Sequence, residues 1–428
     1  MATSTGTSQT PSTIGTAPRL SDTIGLAARL LGQGAVLWGL GVLPGDPTAK
    51  LFLPRGRRDP YGVYAELRSR GPIVPTRLGV KVSTSHRVCG DVLRSRAFGV
   101  AAEGGQPDIG ISLSLLELDP PDHTRLRRLV TPAFSPRRIK ALETMISTTV
   151  HRLLDRAEAA GDFDLVADFA APLPIEVITA LLGIPVEDQA AFRRHGDAIA
   201  SALDGIRSVR HARALDEADR ELGQVFGRLL ELRRVAPQED LISDLAAAPE
   251  DAATTQELLE LCRLLLVAGF ETTVNLIGNT VLALHRSGQW SMLAEDPDLA
   301  GAAIEETLRY DPPVQLTGRT ATADTEVGGH PVRAGEHVVP LIGASGRDPE
   351  VFSRPDTYDL TRTKEADHLA FSAGAHYCVG APLARLEATI AIRELATRFP
   401  RLASTGRAPM RQTTVLRGPR QVPVRIVA

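Results

Sequence analysis

The sequence predicts a mainly α-helical chain with small peripheral β-sheets, folded as one domain. Three observations carry that prediction. After Thr254, apolar residues run nearly all round a helical wheel through Leu264, Leu265, Leu266 and Val267 to Leu282 and Leu284, as in a helix enclosed by protein. Stretches of helical periodicity fill most of the chain from Asp59 onward, and no linker there is long enough to divide it. The β signals are short clusters of β-branched residues between turn residues. A chain of 428 residues with 43% hydrophobic residues can enclose such a core.

Taken in order, residues 1–23 are rich in Ser, Thr and Gly and read as a disordered tail. Residues 24–57 form an apolar N-terminal segment. Within it Ile24–Leu43 is the membrane candidate, since a helix of that length spans about 30 Å. Arg29, Gln33 and five glycines argue instead for an amphipathic piece packed on the domain surface, without membrane contact. The domain proper is 58–428. Its expected helices are Pro60–Arg70, His123–Arg128, Ile139–Ala160, Pro174–Leu182, Glu187–Arg207, Arg213–Arg233, Thr255–Arg286 and Pro382–Arg398, with strands in Val74–Val82, Arg319–Val327, Glu336–Leu341 and Val424–Val427.

Thr254-Thr255-Gln256-Glu257 has the pattern of a capping box and starts the central helix. In its middle, Gly269 costs about 1 kcal/mol relative to Ala, and a buried Glu271 needs a partner. Threonines there can bond back to the preceding turn. The segment reads either as a tolerated glycine with self-satisfied threonines or as a kink that makes room beside the helix. Farther on, Asp296-Pro297 caps a helix on which Glu306 and Arg309 share a face.

Phe371-Ser-Ala-Gly-Ala-His-Tyr-Cys378-Val-Gly380 sets one cysteine directly before the helix from Pro382. Unpartnered N–H groups and the helix dipole stabilise a thiolate there. Gly374 and Gly380 allow sharp turns and close approach of a flat ligand. Cys89 and Cys262 are too distant to complete a zinc site, and no C-x-x-C pair exists. Three cysteines give no disulfide framework, so a reducing cytoplasm is expected. A formal charge of −3 without a dense basic tract excludes nucleic-acid binding as an expectation. No G-x-G-x-x-G opens a βαβ unit, so no nicotinamide domain is expected.

Together these segments resemble the cytochrome P450 family, in its bacterial, soluble, ferredoxin-dependent type, over about residues 58–428. The Phe371–Gly380 run is similar to its haem-binding loop, Ala268–Thr272 to its A-G-x-[ED]-T motif, Glu306–Arg309 to its E-x-x-R helix and His123–Arg127 to its H-x-x-x-R helix. Arg347–Asp359 matches its meander, although Thr357 stands where a basic residue is usual, leaving Arg354 or Arg362 to complete the Glu–Arg network. The resemblance implies a single-domain P450 fold around a buried haem b with Cys378 as the iron ligand. It assigns His123, Arg127, Arg319 and His376 to the propionates, and Phe371, Gly374, Gly380, Ala268 and Gly269 to cofactor contact. Thr272 and Glu271 are implied to deliver protons. Adjacent helical side chains diverge by about 100°, so a water relay or a side-chain swing must link them.

The implied activity is a cytochrome P450 monooxygenase, an oxidoreductase that reductively activates O2 and hydroxylates or otherwise oxidises a mostly apolar small molecule, by analogy in bacterial secondary metabolism. Electrons come from NAD(P)H through a separate ferredoxin reductase and ferredoxin. Arg125, Arg128, Arg137, Arg138 and Lys140 form a basic cluster that would steer an acidic ferredoxin. The substrate pocket is expected from Leu113, Leu265, Ala268, Val314, Leu316 and Val415. Arg193, Arg194, Arg207 and Arg210 read as solvated cations rather than a site for an anionic or carrier-tethered substrate. The protein is expected to work as a monomer. A peroxide-driven peroxygenase and a coupling or desaturating oxidase use the same scaffold, whereas a non-catalytic haem sensor leaves the Glu–Thr pair without a purpose.

Overall fold

The computed structural model describes residues 36–42, 46–100, 114–189, 192, 194–195, 206, 208–249 and 251–427. The expected tail of residues 1–23 lies outside them, as do most of Ile24–Leu43 and most of the expected helix Glu187–Arg207, of which one turn at Val186–Asp188 is described.

The principal helices are α1 Tyr61–Arg68, α2 His86–Arg94, α3 Asp122–Val130, α4 Pro136–Ala160, α5 Pro172–Leu182, α6 Val209–Val235, α7 Leu241–Ala246, α8 Thr255–Ser287, α9 Ala300–Tyr310 and α10 Ala381–Arg398. The strands are β1 Val74–Pro75, β2 Lys81–Ser83, β3 Phe98–Gly99, β4 Asp162–Asp164, β5 Arg319–Ala321, β6 Thr325–Val327, β7 His330–Val332, β8 His337–Pro340, β9 Leu402–Ser404 and β10 Pro423–Ile426. A five-stranded sheet has the order β1-β2-β8-β5-β3, with β2 and β8 parallel and Val82 opposite Val339. The other sheets are β4-β10-β9 and the hairpin β6-β7. The expected strand Val74–Val82 is thus the hairpin β1-β2, turning at Gly79 with a φ of +78°. Arg319–Val327 divides between two sheets.

Helix α8 is the axis of the core. Both capping-box bonds are made: Thr254 Oγ1 accepts the Glu257 N–H, and the Glu257 carboxylate accepts the Thr254 N–H. Gly288 ends the helix in the left-handed conformation. At about 1.5 Å per residue its 33 residues run about 50 Å, and α5, α6, α9 and α10 pack around it. The stretches Leu165–Leu182 and Thr255–Ser287 are apolar enough to cross a membrane by composition, but 67% and 83% of their apolar windows are buried inside the protein. Before α1, Leu51 packs in a small core with Tyr64, Leu67, Val82 and Leu341, whereas Trp38 is exposed.

Because Thr254 Oγ1 accepts the Glu257 N–H at the start of α8, Thr254→Ala is expected to lower stability by about 1 kcal/mol, read as a lower urea midpoint with unchanged slope.

Candidate active site

Cys378 lies where the sequence places it, at the N-terminus of α10. Its N–H donates to Phe371 O at 2.9 Å, and its sulfur accepts the backbone N–H groups of Gly380 and Ala381. The side chain is exposed by accessible surface yet deeply enclosed by protein atoms, so it faces a hollow rather than open solvent. Burial pushes its thiol up; the Gly380 N–H, the Arg127 guanidinium, the Ala381 N–H and Arg385 act against that. Cys89 and Cys262 are fully buried, and burial raises both thiols to about 12, which leaves them inert.

The two loop glycines differ. Gly374 has a φ of +68°, and a Cβ there would lie 2.4 Å from Leu93 O, so only glycine fits. Gly380 has an ordinary φ of −83°, and a Cβ would meet nothing nearer than Phe134 Cε1 at 3.7 Å. The sharp turn expected at Gly380 is therefore not made there. Phe371 is half-buried, and the Arg385 guanidinium carbon lies 4.5 Å from its ring centroid.

Helix α3 and β5 bring cations to the same loop. Arg127 donates to the carbonyls of Ala375 and Tyr377. The His123 and His376 rings lie 4.2 Å apart. Burial lowers both imidazoles, helped at His123 by Arg127 and at His376, which falls to about 4, by His123 and Arg319. Arg319 is 6% exposed and donates to Thr317 Oγ1 and Gly318 O, but it makes no ion pair among the described residues. The carboxylate facing this group is Asp119, 3.8 Å from His376 Nε2 and otherwise engaged with the Val100 N–H. Sequence reasoning assigned it no role, because a short loop acid carries no local signal.

Helix α8 has a gap in its own burial. Ala268 is exposed and Gly269 and Thr272 are half-exposed, while Leu264 to Val267 and Phe270 to Glu271 are buried. The helix continues unbroken through this segment. Thr272 Oγ1 donates to Ala268 O at 2.7 Å, and Thr273 Oγ1 to Gly269 O. A Cβ on Gly269 would meet Ile178 Cδ1 at 3.1 Å, so α5 packs closely there. These are the features of the tolerated-glycine reading, with close helix packing as the reason for the glycine. Glu271 is 3% exposed and pairs with Arg411 Nε at 3.0 Å, with Asn275 Nδ2 at 3.4 Å. Arg411 lies 140 positions away in sequence, so no local pattern could have found it.

Glu306 and Arg309 form a buried bidentate pair at 2.7 and 2.8 Å. Of the two candidates for the third member, Arg362 joins them, its Nε 3.1 Å from Glu306 Oε1, while Arg354 pairs with Asp359. Thr357 takes part through its carbonyl, which accepts from both Arg309 and Arg362.

The expected basic cluster is smaller than its sequence suggests. Arg125 reaches Glu257 at 2.6 Å and Asp122 at 2.9 Å, and Arg138 pairs with Asp244; Arg128, Arg137 and Lys140 stay exposed. Of the pocket residues, Leu113 lies outside the described residues. Val314 bridges to Leu416, and the Gln315 N–H donates to Val415 O at 2.8 Å, which gathers Val314, Leu316 and Val415. Leu265 is buried on α8. Arg193 and Arg207 lie outside the described residues, Arg194 is 3.8 Å from Glu221, and Arg210 is exposed.

A haem fits this donor set. A sulfur at a helix start faces a hollow, a stretch of α8 exposes only small side chains, and a buried guanidinium with two crowded imidazoles has the single carboxylate of Asp119 beside it, where two propionates would add more.

Comparison with known proteins agrees. The cytochrome P450 family model matches residues 105–422. Cytochrome P450 140 of Mycobacterium tuberculosis is 38% identical over 410 residues, covering 90% of this chain and 93% of that one. The crystal structure of ligand-free CYP164A2 from Mycobacterium smegmatis is 40% identical, with a TM-score of 0.81 over 89% of this chain and 99% of that one. P450BioI, solved with an acyl carrier protein ligated to hexadec-9Z-enoic acid, is 34% identical, with a TM-score of 0.82 over 87% and 99%.

One charge pair beneath the loop yields a pH test. Glu305 accepts from Arg385 Nε at 2.6 Å and meets His368 Nε2 at 3.2 Å. Partial burial raises its pKa, but the His368 and Arg385 contacts outweigh that and hold it at about 2. A carboxyl depressed in the folded state stabilises above its unfolded pKa, near 4.5, and loses that contribution as pH falls toward 2. The stability gap between wild type and Glu305→Gln, from urea melts, is expected to close over that window.

Proposed function

Because the chain belongs to the cytochrome P450 family of monooxygenase oxidoreductases, we propose that it is a haem-thiolate monooxygenase that uses O2 and two electrons to oxidise a mostly apolar small molecule, with Cys378 as the iron ligand. The observation that supports this most directly is the Cys378 sulfur held by two backbone N–H groups at the start of α10. When bound, haem supplies the reductive activation of dioxygen, and a cysteine thiolate favours O–O cleavage.

The chain's own residues then have distinct tasks. The Gly380 and Ala381 N–H groups stabilise negative charge on the sulfur. Arg127, Arg319, His123 and His376 hold the propionates, and the histidines take up protons as the carboxylates arrive, since an opposite charge raises an imidazole pKa. Phe371 and Gly374 shape the cysteine loop that would contact the haem, and the small, exposed Ala268 would leave room beside it, with Gly269 set against α5. Thr272 holds a hydrogen bond at Oγ1 and can turn it from Ala268 O toward the hollow. Glu271 rests as a carboxylate paired with Arg411; once that contact opens its proton affinity rises, so it can take up a proton and pass it inward. Leu265, Val314, Leu316 and Val415 give the substrate an aliphatic wall, which suits apolar chains such as the fatty acyl group named for the P450BioI complex. Arg128, Arg137 and Lys140 remain to meet an acidic ferredoxin, and we assign the protein to bacterial biosynthetic metabolism on the strength of its relatives.

A reduced carbon monoxide difference spectrum is expected to show a thiolate-type band in wild type and none in Cys378→Ser; a haem-loaded, folded wild type lacking that band would overturn the assignment. Thr272→Ala is expected to keep NADH consumption through the redox partners while at least tenfold less appears in product and the balance as peroxide. Unchanged product yield would remove Thr272 from proton delivery.

A further inference from the structure

A cleft of about 1190 Å³ lies apart from the hollow at Cys378, and none of the residues assigned to haem or to proton delivery lines it. Its walls come from residues 58–61, the C-terminal end of α8, the end of α9, the segment 356–358 and residues 407–417. Two arginines in the wall are neutralised: Arg417 Nε donates to Asp311 Oδ1 at 2.7 Å, and Arg347 Nη1 to Asp356 Oδ1 at 3.3 Å. Both lie against Tyr61, 5.5 and 3.4 Å from its ring centroid.

Arg58, Arg286 and Arg407 also line the cleft, and they are different. All three are exposed, and their side chains make no hydrogen bond or ion pair among the described residues. They arrive from three distant parts of the chain, and with Asp311 and Asp356 already paired, Asp59 is the one further carboxylate in the wall, so three cations converge on one acid unless solution supplies more counter-charge. Asn279 closes the floor of the cleft at 1% exposure, its Nδ2 donating to Asp311 O at 3.0 Å and Arg417 O at 3.1 Å, which ties the end of α8 to two other walls.

We propose that this cleft binds a small polyanion carrying at least two phosphate or carboxylate groups. Guanidinium groups present forked N–H donors that match both kinds of anion, and three of them exceed what a monoanion can satisfy. An open cleft of this size suits a small molecule. The site also touches the reaction machinery: Met410 and Gln412 line the cleft, while Arg411 between them pairs with Glu271. The occupant therefore rests on the segment that holds the acid of α8.

The test is calorimetric titration of the haem-loaded, full-length protein with sodium tripolyphosphate and, separately, citrate, at fixed ionic strength. Saturable one-site binding is expected for at least one of them. Tripolyphosphate alone identifies a phosphate ligand and citrate alone a polycarboxylate. Arg286→Gln with Arg407→Gln should weaken that binding at least tenfold, and the exposed Arg213→Gln on α6 should leave it unchanged. Bound anion should slow amide hydrogen exchange in 286–289 and 407–412. Equal weakening in the Arg213 control, protection confined to other segments, or no binding of either anion would each overturn the site. The carbon monoxide spectrum of the double variant reports separately that the haem centre is intact.

Discussion

The buried carboxylate of Glu306 is the constraint on which the cysteine loop rests. It accepts from Arg309 at both oxygens and, at Oε1, from Arg362 and the Asp359 N–H as well. The two guanidiniums spend their remaining donors on carbonyls of the segment between β8 and the loop: Gly346, Ser353, Arg354, Pro355 and Thr357. A stretch with almost no secondary structure is thereby fixed by side chains. Buried charge normally opposes folding, and removing one member of such a group costs about 3–5 kcal/mol because the rest is left unpaired. Here the donors and acceptors are so fully matched that the segment has one way to pack.

The neighbouring glutamate extends that constraint to the sulfur. Successive residues on a helix point about 100° apart, so Glu306 faces the irregular segment while Glu305 faces α10. There Glu305 holds Arg385, whose guanidinium covers the Phe371 ring, and the Phe371 carbonyl receives the Cys378 N–H. From the other side Arg127 of α3 clasps the loop through two carbonyls, and α3 is itself tied to the start of α8 by Arg125 and Glu257. The loop is set by ion pairs on both flanks, and the same arrangement concentrates uncompensated positive charge beside it. That surplus, most evident at the buried Arg319, is what an anionic cofactor would neutralise.

Much of this was legible in the sequence where the signal is local. The apolar pattern and the Thr254–Glu257 capping box located α8, and the glycine, histidine and cysteine spacing located the loop, because period and capping act within a few residues. The short strands were legible as β signals but not as separate elements, since a three-residue strand is defined by its partner. Side-chain pairing across long separations was beyond reach. The basic cluster looked free because Glu257 and Asp244, which engage Arg125 and Arg138, lie more than a hundred positions away. Choosing Arg362 over Arg354 likewise required knowing which guanidinium the irregular segment turns inward.

The segment Ala268–Thr273 shows how a resting structure can satisfy groups that chemistry needs elsewhere. A hydroxyl inside a buried helix must find an acceptor, and Ala268 O is the nearest one. A carboxylate at 3% exposure must find a cation, and Arg411 is brought to it by the segment between β9 and β10. Neither bond disrupts the helix, so neither has to be broken for the chain to fold. The Thr272 bond is a single neutral contact, worth only about 0.5–1.5 kcal/mol net, whereas Glu271 meets both Arg411 and Asn275. The molecule thus concentrates its ion-pair network around Glu306 and leaves on α8 a hydroxyl that can exchange its partner, where the side chains proposed to handle protons must move.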